Sequence, residues 1–184
     1  MKNNLKLLLV IAAFALAITS CKKDSVDAND NEVITTVQLQ ITPVGGGTAL
    51  TYKWEDLDGP GGTSPVIDRI TLATSKTYTV QVMLYDKTKT PPVVTSDEVR
   101  KEAVDHRLYF EPSAGANITV TNLDNDPNGI PLGLMSTFTT GSAATGTMKV
   151  TLRHYENGGK AAVDLVSSTK SSTDAETTFN TTVK

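Results

Sequence analysis

The sequence predicts an all-β domain: an immunoglobulin-like, antiparallel sandwich of two sheets, with about seven to nine strands and one short helical crossover. Three observations support this prediction. Threonine occurs 28 times and valine is frequent, and these β-branched residues favour pleated, half-buried surfaces. Apolar and polar residues alternate in many short segments, which is the period of a strand with one buried face. Glycine, proline, asparagine and aspartate separate these segments, as turn residues do.

Four alternating segments are predicted as strands in the first half of the domain. Glycines 45–47 and the turn sequence DLDGPGG separate the first three, and TYTVQVMLY is the clearest strand of the chain. The tandem prolines that follow it cannot donate to a ladder and must lie outside the sheet. The side chains predicted to face the core are Val33, Val37, Leu39 and Ile41, then Leu50, Tyr52 and Trp54, then Ile70 and Leu72, then Tyr78, Val80, Val82 and Leu84.

The second half begins with the one segment that predicts a helix, Thr95 to His106. Thr95 and Glu98 have the spacing of a capping box, and Asp97 lies four residues before Lys101. Alternation then predicts further strands at residues 106–111, 117–122, 134–140, 146–155 and 177–183. The polar stretch 160–176 is predicted to be a long connection.

Length and charge limit the classes of function. With 184 residues the chain has room for one domain with a substantial core. Without the first twenty residues it carries 15 basic and 20 acidic side chains, which argues against nucleic acid as a partner. A single cysteine allows no intramolecular disulfide.

The first twenty residues have the outline of a signal peptide. Two lysines precede twelve apolar residues, Leu7 to Ile18, and a helix of that length spans about 18 Å, too short for a hydrocarbon core of about 30 Å. The following ITSC resembles the bacterial lipobox, which implies that Cys21 carries a lipid and attaches the protein to the membrane. The alternative is an ordinary secretory signal beside an incidental cysteine.

Residues 21–32 are polar and charged, which predicts a disordered tether. KKD, directly after Cys21, resembles the lysine-plus-acid signal that sends Bacteroidota lipoproteins to the outer face of the outer membrane. Asp24, Ser25 and Val26 resemble the O-glycosylation pattern of that phylum, with Ser25 as the acceptor. These resemblances imply display at the cell surface, and the periplasmic leaflet is the alternative.

Two groups of residues are candidate ligands for calcium or another divalent metal. Glu98, Glu102 and His106 follow one another at i, i+4, which aligns them if the helix extends that far. The alternative is a solvated helix face whose last residue already belongs to the next strand.

The second group matches the opening of a calcium loop. Asp124, Asp126 and Asn128 precede a glycine in the pattern D-x-D-x-N-G, but the position that needs a bidentate carboxylate is Met135. A turn that tolerates left-handed backbone explains the same residues. Asp56 and Asp58 form a second turn of this kind.

The remaining candidates favour structural roles. Tyr52 and Trp54 share the parity of Leu50, which predicts core positions in preference to a sugar-stacking surface. His154, near a strand end, is predicted to be structural. No nucleophile elbow, zinc-protease motif or phosphate loop is present, so an enzyme is not expected.

One resemblance covers nearly the whole mature chain. The segments EVITTVQLQITPVGGGTALTYKWEDLDGPGG, TSDEVRKEAVDHRLYF and DNDPNGIPLGL resemble a family of small, uncharacterised Bacteroidota lipoproteins, often labelled "type 1 periplasmic binding fold superfamily protein". That label implies a two-lobed α/β fold, whereas the residues alternate as strands, and we therefore expect the β-sandwich.

The sequence thus leads to two hypotheses of function. In the first, an outer-membrane-anchored, non-enzymatic module binds a ligand or metal, as an accessory to uptake through an outer-membrane transporter or with another envelope protein. In the second, the protein is a structural or adhesive component of the cell envelope without a small-molecule site.

Overall fold

A computed structural model describes residues 32–59 and 61–184. The predicted signal peptide, the lipidation site Cys21 and the glycosylation site Ser25 lie outside these residues. So does the predicted tether, except for its last residue, Glu32. Within the described residues two β-sheets pack together with one short α-helix, which confirms the predicted all-β sandwich.

The first sheet, sheet A, has six strands in the order β3-β2-β1-β5-β8-β7, and every neighbouring pair is antiparallel. The second, sheet B, has four strands in the order β4-β10-β9-β6. The strands are β1 (Thr36–Pro43), β2 (Leu50–Glu55), β3 (Val66–Ile67), β4 (Ile70–Leu72), β5 (Thr77–Tyr85), β6 (His106–Pro112), β7 (Ile118–Thr121), β8 (Met135–Thr140), β9 (Ala144–Tyr155) and β10 (Ser171–Val183). A short 3₁₀ segment, Glu156–Gly158, follows β9.

The core follows the alternation of the sequence. In β5 every second side chain is at most 3 % exposed, and the intervening ones face solvent more. Tyr52 and Trp54 are partly buried against the core, as predicted, whereas Leu50, which shares their parity, is 36 % exposed. Val33, by contrast, is 56 % exposed because β1 begins only at Thr36. The fully buried members from both sheets include Leu39, Ile41, Val80, Leu84, Phe138, Met148 and Phe179.

One strand pair departs from the antiparallel pattern. β4 runs parallel to β10, with Ile70 opposite Thr181 and Leu72 opposite Val183. These strands are separated by most of the domain, so no tight turn forces them to be antiparallel. β10 is also longer than the predicted 177–183, because residues 171–176 continue the pairing with β9.

The helix is shorter than predicted. α1 comprises Thr95–Lys101, its N-cap is Val94, and no side chain caps it, so the predicted capping box does not form. Thr95 is instead buried in the first turn. The chain turns at residues 102–105 and β6 begins at His106. Seven residues of β6 pair with β9, and this pairing stabilises the strand more than an additional turn would stabilise so short a helix.

A hydrogen bond of Tyr52 connects the two sheets, and removing the Tyr52 hydroxyl tests how much this bond stabilises the fold. Its hydroxyl on β2 donates a hydrogen bond to the carbonyl oxygen of Thr71 on β4 at 2.6 Å. We expect Tyr52→Phe to lower the free energy of unfolding by about 1 kcal/mol in urea titrations. Tyr85→Phe is the control, because among the described residues the Tyr85 hydroxyl bonds only to the Met83 sulfur, at 3.5 Å. Equal losses in both variants would contradict a specific inter-sheet bond.

None of the helices among residues 32–59 and 61–184 has the length and apolar character needed to cross a membrane.

Candidate metal centre

Four metal-ligating side chains converge at one end of sheet B: Glu32, His106, His154 and Asp174. One ligand atom from each lies within 4.8 Å of all the others. Both oxygens of the Glu32 carboxylate are 2.9 Å from His106 Nε2, and Asp174 Oδ2 is 3.7 Å from the same nitrogen. The cluster is the candidate metal centre of the described part of the chain.

The strand pairing of sheet B places three of the four ligands. His106 on β6 and His154 on β9 occupy paired positions, and their ring centroids are 4.5 Å apart. Asp174 lies at an irregularity of β10, where the pairing with β9 shifts between Thr173 and Ala175. A bulge of this kind redirects a side chain locally, and here the Asp174 carboxylate lies beside the His106 ring. Glu32 comes from the segment that precedes β1.

The ring of His106 is held in one orientation. Its Nδ1–H donates to the backbone carbonyl of Glu102 at 3.1 Å, which leaves Nε2 directed at the two carboxylates. Metal-binding histidines characteristically donate their second ring N–H to a carbonyl or carboxylate, and this bond fixes the tautomer. Burial alone lowers the pKa of His106, but the neighbouring Glu32 carboxylate outweighs it and raises that pKa above its ordinary value.

Asp174 is the least satisfied member of the cluster. Its side chain is 0 % exposed, and neither carboxylate oxygen has a hydrogen-bond partner among the described residues. Burial and the negative charge of Glu32 raise the pKa of Asp174 to about 7. Buried polar atoms of this kind normally have a partner, and either a proton shared with Glu32 or a bound cation would satisfy the Asp174 carboxylate.

The donor set suits a divalent metal of the zinc class. Two neutral imidazoles and two carboxylates balance the charge of one M²⁺ ion, which matters in a buried site. Tetrahedral zinc with bonds of about 2.0–2.1 Å requires ligand atoms roughly 3.3 Å apart. Two of the observed separations, 2.9 Å and 3.7 Å from His106 Nε2, bracket that value, and ligand atoms that lie up to 4.8 Å apart would have to move inward to bind one ion. Nitrogen ligands favour zinc or cobalt over calcium and magnesium, which prefer oxygen.

A buried lysine braces the backbone next to the site. Lys160 Nζ donates to the carbonyl oxygens of Ala103, His106 and Pro131 at 2.7–3.2 Å. It also forms an ion pair with Asp126 Oδ2 at 3.0 Å, with side-chain exposures of 0 % and 1 %. Burial raises the pKa of Asp126, but the backbone N–H of Ile130 and the Lys160 ammonium outweigh it and hold the pKa below its usual value.

The helical trio predicted from sequence is not assembled as expected. Glu98 and Glu102 are exposed, and α1 ends before His106, so the i, i+4 alignment does not extend to the histidine. The contact between Glu102 and His106 uses the Glu102 backbone oxygen, not its carboxylate. The alternative, a solvated face followed by a strand, describes the geometry.

The predicted calcium loop takes the form of a hydrogen-bonded turn. Asp126 Oδ1 accepts from the backbone N–H groups of Asn128 and Ile130, and Asp124 Oδ1 accepts from Gly133 and Met135. The remaining oxygen of Asp126 faces Lys160. Neither aspartate belongs to a metal-ligand group found among the described residues.

Of the four clustered residues, sequence reasoning selected only His106. It assigned His154 a structural role, Glu32 to the tether and Asp174 to a connection. One signal was visible: the chain contains two histidines, and both lie in segments with strand alternation. Neither the bulge at Asp174 nor the contact of Glu32 with His106 can be recognised from the neighbouring sequence.

Comparisons of the chain with protein-family models, with curated proteins and with solved structures find no match.

Proposed function

We propose that this protein is a lipid-anchored module of the cell envelope that binds a divalent transition metal through Glu32, His106, His154 and Asp174. The observation that supports this proposal is the buried Asp174 carboxylate, which accepts no hydrogen bond from residues 32–59 and 61–184 and lies beside an imidazole nitrogen of fixed orientation. Four protein ligands fill a tetrahedral shell and leave no position for a reacting water, which favours binding over catalysis. The sequence predicted calcium or another divalent metal, and the two histidine ligands favour zinc or cobalt among these.

The location of this module is proposed from the sequence. The lipobox resemblance makes Cys21 the membrane attachment, and KKD supports exposure on the outer membrane, next to a transporter or another envelope protein. Cys21→Ser is expected to release the protein from membranes, and protease treatment of intact cells is expected to digest the exposed domain. Retention of the variant on membranes would contradict lipidation.

Metal titration tests the binding proposal. The full chain, extracted in mild detergent and stripped with a chelator, should bind one Zn²⁺ or Co²⁺ in calorimetry and should not bind Ca²⁺ or Mg²⁺ at the same concentrations. Free zinc at 100 times its Kd should raise the free energy of unfolding by about 2.7 kcal/mol.

Ligand variants locate the binding. His154→Gln should weaken zinc binding by more than about 100-fold, since loss of even an outer-shell partner costs about 10–100-fold. Glu98→Gln and Asp124→Asn are matched controls that remove the other candidate carboxylates, and both should bind zinc like the wild type. Absence of zinc binding, or an equal loss in a control, would overturn the proposal.

A further inference from the structure

We infer that Glu32 is a detachable fourth ligand, so that metal binding fastens the N-terminal segment, residues 32–34, onto the end of sheet B. This inference rests on the proposed function and adds a regulatory role for the same site. The bound metal then decides whether residues 32–34 lie against the end of sheet B or separate from it.

Three of the ligands are built into the sheet. His106 and His154 occupy paired positions of β6 and β9, and Asp174 belongs to β10, which pairs with β9 on both sides of the bulge. His106 is also bonded to the turn after α1. These ligands remain in place whatever the N-terminal segment does, because the ladder of sheet B holds their backbones.

Glu32 has no such support. Residues 32–34 belong to no strand and form no backbone hydrogen bond with the described residues. Within the described part of the chain, the first such bond is donated by Thr35 to the Tyr85 carbonyl at 2.9 Å. Val33 is 56 % exposed, and Ile34 packs only partly against the core. The backbone of this segment is therefore free to separate from the domain.

The side chain of Glu32 is nevertheless buried. It is 11 % exposed, and its carboxylate contacts His106 Nε2. Removing a carboxylate from water is costly unless a cation or strong donors replace the water. In the metal-free cluster the Glu32 carboxylate has the His106 ring as its partner and the Asp174 carboxylate as an opposing charge, whereas a metal ion bound to His106, His154 and Asp174 supplies two positive charges.

Loss of Glu32 would leave three protein ligands and one open position. Such a set still binds zinc, with water as the fourth ligand. Glu32→Gln therefore separates the two roles of the residue: metal remains bound through the sheet, but the segment is no longer held.

Hydrogen exchange at residues 32–34 tests the inference. In the full chain in detergent, one equivalent of Zn²⁺ should slow exchange of these amides at least about tenfold. Glu32→Gln should bind zinc at least about tenfold more weakly and, when saturated, show no slowing. Glu98→Gln is the matched control and should behave like the wild type in both measurements.

The outcomes distinguish this inference from the proposed function. Zinc binding without slower exchange at 32–34 would overturn the fastening role and leave the metal site in place. Unchanged zinc affinity in Glu32→Gln would overturn Glu32 as a ligand. Absence of zinc binding in the wild type would overturn both.

Discussion

Replacing Lys160 with methionine is expected to lower the free energy of unfolding by about 3–5 kcal/mol, the cost of breaking a buried ion pair by removing one partner. The change leaves the Asp126 carboxylate buried without its counter-ion, at 1 % side-chain exposure. It also removes the donor to the carbonyls of Ala103, His106 and Pro131. Methionine fills a similar volume, so the decrease in the free energy of unfolding measures the lost charge and hydrogen bonds more than the formation of a cavity. Denaturant unfolding at neutral pH measures it.

Lys170→Met provides the matched control for that substitution. Lys170 pairs with Asp164 at 3.1 Å, but its side chain is 58 % exposed. Exposed pairs contribute about 0–1 kcal/mol, so this variant should unfold nearly like the wild type. If the Lys160 and Lys170 variants lose similar free energy of unfolding, the buried Lys160–Asp126 pair does not contribute the stability expected of it.

Lys160→Met should also weaken zinc binding, by about 10–100-fold, because Lys160 holds the backbone oxygen of the His106 ligand. Calorimetry on the folded variant separates this effect from stability. Zinc binding of unchanged affinity would limit Lys160 to a structural role.

Asp174→Asn is expected to stabilise the metal-free protein while abolishing tight metal binding. Burial and the charge of Glu32 disfavour the ionised form of Asp174 and raise its pKa to about 7, and its oxygens accept no hydrogen bond from the described residues. Asparagine has nearly the same shape, carries no charge and can donate an N–H to the Glu32 carboxylate. We expect a gain of about 1–3 kcal/mol in the chelator-treated protein, which is the typical cost of an unsatisfied buried group.

The same variant should bind zinc more than about 100-fold more weakly than the wild type, as expected for loss of a direct ligand. Asp97→Asn, on the exposed face of α1, is the matched control for both measurements. Opposite signs for stability and affinity are characteristic of a binding residue that the fold alone does not favour. Destabilisation by Asp174→Asn in the absence of metal would instead assign the carboxylate a structural role.

The strands could be predicted because their signal is local. In β5, and in β9 from Met148 to Leu152, every second residue is apolar, and a strand that places one face on the core needs no information from elsewhere in the chain. The C-terminal end of the helix was predicted too late in the chain because the charged sequence is compatible with a longer helix. In the structure, the pairing of β6 with β9 ends the helix. The parallel pair β4–β10 also depends on distant segments.

The sequence by itself determined the all-β class and the core faces of most main strands, because alternation lies within short windows, and the lipobox resemblance predicts attachment at Cys21. Only the tertiary structure brought the four candidate metal ligands together. Glu32 and His106 are 74 residues apart, and their contact depends on the packing of the N-terminal segment against sheet B. His154 and Asp174 join them through strand register and a bulge, which arise from pairing between strands and have no pattern of their own in the sequence.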